Sequence, residues 1–186
     1  MGAFTDRTGE SFVSNEGYSF VIIEYNKAKD LWVEFQDEYK ARVHTQYASC
    51  QRGSIKNPYH PSVCGIACIG LMSDGSKPKT SHRDGYPTKQ YSTWHSMIAR
   101  CYSNYERYHT YDNTTVCDRW LVYANFLEDL PLIDGYKLWL NNDGYTLDKD
   151  LKQKDVENKV YSLDTVCFVT QSDNTKEVHS RQQHKI

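Results

Sequence analysis

The chain has 186 residues, enough for one domain of ordinary size or two small ones. Its 22 basic and 24 acidic residues give a net charge of −2, which excludes a bulk basic surface for nucleic acid, so any DNA contact must come from a local patch. Tyrosine supplies 15 of the aromatic residues, a usage typical of small folds that contain β-structure.

Residues 1–75 predict a small β module, either a meander or a barrel. Residues 19–25 are rich in β-branched and aromatic side chains, and residues 31–37 alternate apolar with polar side chains. Residues 42–47 are consistent with a third strand, and the apolar, glycine-punctuated residues 63–71 suit a last buried strand. We expect this module to recognise or position a partner.

Two of the six cysteines, Cys64 and Cys68, have a spacing that a zinc site could use. No second pair of Cys or His follows at a matching interval, so buried small thiols are the better-supported interpretation. The sequence shows no signal-peptide pattern and no apolar run long enough to span a bilayer. We therefore expect a cytoplasmic protein with reduced thiols and no membrane partner.

Residues 76–89 predict a linker. Gly, Pro, Ser and Thr dominate this part of the chain, and basic residues outnumber acidic ones. One interpretation is a solvated tether, and the other is a basic strip that follows a phosphate backbone. The cations assigned to DNA contact are those of the linker and of the helices after it: Lys77, Lys79, Arg83, Lys89, Arg100 and Arg119.

Two helices are predicted after the linker. Apolar and aromatic side chains recur at helical spacing in residues 91–102. A second helix is predicted to begin near Asp118 and to end before Pro131, which cannot continue a helix. Their apolar stripes predict a buried core rather than a cofactor-binding surface.

The end of the chain carries the acidic residues from which chemistry is predicted. Residues 146–151 and 160–169 predict an antiparallel hairpin, and residues 171–182 predict a helix packed across it. Asp148 and Asp150 are two residues apart, so on a strand they would share a face, where two carboxylates suit Mg²⁺ or Mn²⁺ better than zinc. The alternative is an exposed strand with solvated charges.

Four motifs of the second half occur in a recognisable order. They are YSTWHSMIARCY at 91–102, TVCDRWL at 115–121, TLDKD at 146–150 and CFVTQ at 167–171, followed by Asn174. Over residues 88–178 this order resembles phage-encoded HNH endonucleases of the homing-endonuclease type. Residues 9–70 resemble, more weakly, the β-rich module that often precedes this domain in phage proteins.

The resemblance implies an α+β fold in which residues 90–186 form a helical and ββα-metal domain of the HNH type. One divalent cation, Mg²⁺ or Mn²⁺, would lie between the hairpin and the helix. Asp148 matches the metal-binding acid of the first strand, and Asn174 matches the metal ligand on the helix.

The resemblance also assigns catalytic positions, with departures from the family. Lys149 stands where the family has its general-base histidine, and Asp164 and Thr165 stand where a central asparagine is expected. A free lysine has a pKa near 10.4, so it is a poor base at neutral pH unless it is desolvated or lies beside other cations. Asp150 could instead accept a proton through a water molecule. The catalytic set implied in this way is Asp148, Lys149 and Asp150.

The sequence therefore predicts a phage-type HNH-like endonuclease that binds double-stranded DNA in the host cytoplasm and hydrolyses phosphodiesters with Mg²⁺ or Mn²⁺. One metal centre per chain predicts nicking, or double-strand cleavage by a dimer. The alternative is a degenerate HNH fold that binds DNA or a host protein without cleavage. The missing histidine and the acidic charge favour the alternative, whereas Asp148 and Asn174 favour the enzyme.

Overall fold

A four-stranded antiparallel meander forms the N-terminal part of the fold. The computed structural model describes residues 5–106, 111 and 113–172. The strands pair in chain order: β1 (Ser11–Val13), β2 (Ser19–Lys27), β3 (Asp30–Phe35) and β4 (Arg42–Thr45). A short helix, α1 (Tyr47–Gln51), follows β4. With the helices described below, the chain is α+β with an N-terminal antiparallel sheet, as its sequence predicts.

Alternation of side chains along the strands explains the sheet's buried face. Phe20 lies opposite Phe35 and Val33 opposite Val43 in the register, and all four are buried. The intervening positions of β3 and β4 face solvent, including Trp32, which is 38% exposed. Period-two alternation of this kind places one face of the sheet in a core and leaves the other wet.

Residues 63–71 do not form the last strand that was predicted for them. Their backbone instead hydrogen-bonds the second half of the chain: Cys68 N–H donates to Leu121 O at 2.9 Å, and Ala124 N–H donates to Ile69 O at 3.0 Å. Gly70 has a φ of +68°, and a Cβ there would come within 2.4 Å of Val122 Cγ1. Only glycine allows the backbone at position 70 to lie this close to Val122. The positive φ of Gly70 also interrupts the extended conformation of a strand.

The predicted linker is attached to the second half of the chain at several points. Ser73 N–H donates to a carboxylate oxygen of Glu128 at 3.1 Å, and the Tyr123 hydroxyl donates to Lys79 O at 3.2 Å. Buried apolar side chains fall into two clusters, one drawn from residues 20–55 and the other from residues 63–168. The change from one cluster to the other therefore occurs before the linker.

The second half combines three helices with four short strands among its described residues. Its elements are α2 (Lys89–Tyr102), β5 (Thr114–Val116), α3 (Tyr123–Asp129), α4 (Tyr136–Asn141), β6 (Tyr145–Asp148), β7 (Lys159–Tyr161) and β8 (Cys167–Thr170). The helix predicted at 91–102 is confirmed as α2, which begins where the Thr88 hydroxyl accepts a hydrogen bond from Tyr91 N–H. The helix predicted from Asp118 is a 3-10 turn followed by α3, and Pro131 lies in a second 3-10 turn.

Large aromatic side chains fill the core of this half. Trp94, Trp120, Tyr123 and Phe126 are completely buried. The indole N–H of Trp94 donates to Trp120 O at 2.7 Å, so the polar atom of the ring is satisfied inside the core. The apolar stripes of α2 and α3 are thus core, as predicted.

The C-terminal hairpin is only partly as predicted. β6 does pair antiparallel with β8, and Asp148 lies opposite Cys167. However, β7 pairs in parallel with β5, with Val160 opposite Thr115. The segment 160–169 is therefore two strands with different partners rather than one. Parallel pairing joins segments distant in sequence, and neither segment shows it alone.

Two further sequence predictions concern the C-terminal helix and membrane-spanning segments. The predicted helix at 171–182 and Asn174 lie outside the described residues, apart from Gln171 and Ser172, which are helical. Across the described ranges, no helix has the length and apolar character needed to cross a bilayer.

Candidate functional site

Asp148 ends β6, and one of its carboxylate oxygens shapes the turn that follows. Its Oδ2 accepts hydrogen bonds from Asp150 N–H at 2.9 Å and from Leu151 N–H at 2.7 Å. An aspartate that binds backbone amides two and three residues ahead stabilises a turn. Asp148 is 4% exposed, and its Oδ1 accepts no hydrogen bond from the described part of the chain.

Asp150 lies in that turn and binds two lysines. Lys149 Nζ donates to both carboxylate oxygens, at 3.1 and 3.0 Å, and Lys159 Nζ donates to Oδ1. The three side chains are 10–19% exposed. The predicted sharing of a strand face by Asp148 and Asp150 is therefore wrong, because the chain leaves the extended conformation after Asp148.

Lys149 is buried rather than solvated, at 8% exposure. Its ammonium donates to Asp150 and also lies 4.7 Å from the centroid of the Tyr111 ring. The guanidinium of Arg100 lies 5.9 Å from the same centroid. Tyr111 thus has two cations near its ring, an arrangement that cation–π attraction favours.

Arg100, Lys149 and Lys159 form a cationic region that also contains neutral groups. Burial raises the pKa of the Tyr161 hydroxyl, which lies beside Arg100. Burial also raises the pKa of the Cys101 thiol to about 11, although Lys149 and Arg100 act in the opposite direction. At neutral pH both groups are protonated, so Cys101 is not a thiolate nucleophile. The chemistry of the region is that of fixed positive charge and hydrogen-bond donors.

The described residues supply only part of a metal site. Among them, no group of three or more His, Cys, Asp or Glu side chains is arranged to hold a cation. Oδ1 of Asp148, which accepts no hydrogen bond from the described residues, suits Mg²⁺ or Mn²⁺ as one ligand but does not form a site alone. Asn174, the second ligand implied by the resemblance, lies outside the described residues. Of the two cysteines considered for zinc, Cys64 is exposed and Cys68 is buried.

The six cations assigned to DNA fall into two groups. Lys89 donates to Trp139 O at 2.6 Å and to Asp143 at 3.2 Å. Arg119 pairs with Asp129 at 2.8 Å and with Glu128 at 3.3 Å. The other four form no ion pair with a described carboxylate: Lys77, Lys79, Arg83 and Arg100.

Sequence reasoning missed several members of the cationic region, among them Lys159 and Tyr161. Both belong to β7, which reaches the region through its parallel pairing with β5. The charged and aromatic character of this strand is visible in the sequence, but its pairing is not. No local pattern could have placed Lys159 against Asp150.

Comparisons with known proteins add no relative: no family, no curated protein and no solved structure matches this chain.

Proposed function

We propose that this chain binds double-stranded DNA through contacts between backbone phosphates and the exposed cations that have no carboxylate partner among the described residues. The supporting observation is that Lys77, Lys79 and Arg83 lack a carboxylate partner among the described residues; the half-buried Arg100 is not counted with them. Lys77, Lys79 and Arg83 are also exposed on one short segment. Phosphate contacts of this kind give affinity without sequence preference and explain binding by a chain whose net charge is −2.

The test is the salt dependence of duplex binding. We expect weak binding at low salt and a log–log slope of about −3 to −5, since each phosphate neutralised contributes roughly −0.9. Changing Lys77, Lys79 and Arg83 together to glutamine should make the slope shallower by about 2 to 3. Fluorescence anisotropy of a labelled duplex across a salt series measures both values.

A matched triple variant controls for net charge. Lys27→Gln, Lys29→Gln and Arg52→Gln remove three exposed cations from the N-terminal part, and the slope should then stay unchanged. Absence of wild-type binding near 50 mM salt, where electrostatic contacts are strong, would count against DNA as the partner. A protein partner would then be the best-supported alternative.

Metal-dependent nicking is a second candidate function, supported by Asp148 Oδ1, which accepts no hydrogen bond from the described residues. Mg²⁺ or Mn²⁺ bound by Asp148 would stabilise the leaving oxygen and the charge that develops on the phosphoryl group. The ion pair between Lys149 and Asp150 favours DNA binding without cleavage, because each side chain is already bound to the other.

We also propose that either activity takes place in the cytoplasm, where the six free thiols would stay reduced.

Nicking of supercoiled plasmid with Mg²⁺ or Mn²⁺ separates the two versions. If the wild-type protein nicks DNA, Asp148→Asn should abolish the activity. The amide keeps an oxygen for the turn that Asp148 stabilises, so the fold should be retained while the charge is lost. Asp155→Asn, a change at an exposed position in the following turn, should leave nicking unaltered. Undiminished nicking by Asp148→Asn would exclude this site.

A further inference from the structure

A cleft of about 230 Å³ lies between α2 and β6. The polar side chains of α2 that line it are Lys89, Ser92, Thr93, Ser96 and Arg100. Most of them are three or four positions apart, so they share one face of the helix. Thr146 lines the opposite wall, and Met97 and Leu147 supply apolar surface. The cleft is thus a polar groove with an apolar floor.

The hydroxyl groups of the cleft have unused hydrogen-bonding capacity. Ser92, Thr93, Ser96 and Thr146 are half-buried, yet none of their hydroxyls hydrogen-bonds another residue in the described part of the chain. On a helix, such hydroxyls commonly bond the carbonyl one turn back, as Ser103 does at the end of α2. Four donors therefore remain available to a ligand in the cleft.

Arg100 gives the cleft a positive charge that no carboxylate of the described residues pairs with. Its guanidinium is half-buried beside the hydroxyls of Tyr161 and Tyr111. Three other arginines, Arg7, Arg42 and Arg119, each pair with a carboxylate. A partly desolvated cation is costly unless a negative group compensates it. The planar guanidinium fits two oxygens of a phosphate at once.

Lys89 closes the other end of the cleft. Its ammonium already donates to Trp139 O at 2.6 Å, Asn142 O at 2.9 Å and Asp143 at 3.2 Å. Arg100 lies eleven positions further along the helix, a rise of about 16 Å. Its donors are committed, so an anion would bind at the Arg100 end, within two turns of Ser96 and Thr93.

We propose that this cleft binds a phosphate monoester, whose oxygens accept hydrogen bonds from Arg100, Ser96 and Thr93. The volume of 230 Å³ is below the roughly 300–1,000 Å³ of sites that enclose drug-sized ligands. It fits a phosphate and its sugar, held against Met97 and Leu147, and excludes a double helix. The ligand is a nucleotide or the terminal phosphate of a strand, and its binding does not depend on the duplex contacts proposed above.

Isothermal titration of the full-length protein tests the site. Thymidine monophosphate should bind saturably, thymidine should not, and inorganic phosphate should bind more weakly because it lacks the sugar. Equal affinity for inorganic phosphate and thymidine monophosphate would still support a phosphate site and would identify free phosphate as its ligand. No saturable binding of either phosphate compound at millimolar concentration, or equal binding of thymidine, would overturn the proposal.

Variants of the cleft locate the binding. Thr93→Val with Ser96→Ala removes two hydroxyls at little cost in volume, and the Kd should rise by about tenfold or more, as for loss of hydrogen bonds to a charged group. Arg100→Lys keeps the charge but not the planar fork and should also weaken binding. Ser11→Ala with Thr45→Val, on the N-terminal sheet, should have no effect. An unchanged Kd for the Thr93 and Ser96 double variant would overturn the assignment.

The same titrations separate this site from the proposed duplex binding. The triple variant of Lys77, Lys79 and Arg83 should lose duplex affinity and keep its affinity for thymidine monophosphate. Duplex binding without phosphate-monoester binding would refute only the cleft. Monoester binding without duplex binding would refute only the proposed DNA contacts.

Discussion

Replacement of Asp129 by alanine is expected to lower the free energy of unfolding by about 1–4 kcal/mol. The indole N–H of Trp120, a completely buried residue, donates to Asp129 Oδ2 at 2.9 Å. Arg119 donates to both carboxylate oxygens, at 2.8 and 3.0 Å. An unsatisfied buried N–H costs about 1–3 kcal/mol, and the ion pair adds up to about 1 kcal/mol because the arginine is half-exposed. Denaturant unfolding at neutral pH measures the change.

Glu128→Gln provides the matched control. Glu128 binds the same arginine at 3.3 Å on the exposed side. Loss of this ion pair should therefore lower the free energy of unfolding by less than about 0.5 kcal/mol. Asp129→Asn should lie between the two, because its amide oxygen can still accept from Trp120. Equal stability of the wild-type and Asp129→Ala proteins would contradict the role given to this carboxylate.

The contribution of Asp129 should also depend on pH. A hydrogen bond from Arg119 lowers the pKa of this carboxyl below its ordinary value, against the opposing effect of burial, and a hydrogen bond from Trp120 lowers it further. Stabilisation by a lowered pKa is fully present above the unfolded pKa of about 3.9 and is lost as pH falls through the folded pKa. The stability difference between wild type and Asp129→Asn should therefore shrink between pH 5 and the acid limit of folding.

Local patterns predicted the elements whose structure is local. The alternation in residues 31–37 and the helical spacing in residues 91–102 correspond to β3 and α2. α4 was not predicted, and residues 63–71 were assigned a strand that they do not form. In the second case the deciding contact is non-local, because backbone groups near Cys68 bond the 121–124 segment. A single-sequence pattern contains the apolar character of a segment but not the partner that satisfies its backbone.

The candidate site was predictable only in part for a related reason. The sequence places Asp148 inside a strand over residues 146–151, whereas in the structure the strand ends at Asp148. It does not show that Asp148 bonds its own following backbone, which turns the chain and moves Asp150 away from the strand face. Aspartate favours such turns as readily as it binds metals. The hydroxyls of Ser92, Thr93 and Ser96 were visible on one face of α2, but the β6 wall that makes a cleft of them was not.

Replacement of Asp150 by alanine is expected to lower the free energy of unfolding by about 2–4 kcal/mol. Among the described residues, the Asp150 carboxylate forms the ion pairs of both Lys149 and Lys159, whose side chains are only 10% and 14% exposed. Removal of one partner of a buried pair costs about 3–5 kcal/mol, and the remaining exposure reduces this figure. Two ammonium groups would then lie near each other without compensation. Denaturant unfolding of the variant at neutral pH measures the loss.

A second substitution distinguishes this charge effect from loss of packing. In the Asp150→Ala background, Lys159→Met removes one of the two unpaired ammonium groups and keeps an apolar side chain of similar length, so stability should partly recover. Asp155→Asn, at an exposed position of the following turn, should change stability by less than about 0.5 kcal/mol. If Asp150→Ala were as stable as wild type, the carboxylate would be free for other chemistry. If the variant is destabilised as expected, any loss of activity on replacing Asp150 is first explained by loss of its ion pairs with Lys149 and Lys159. Such a loss is then not evidence that Asp150 is a catalytic base.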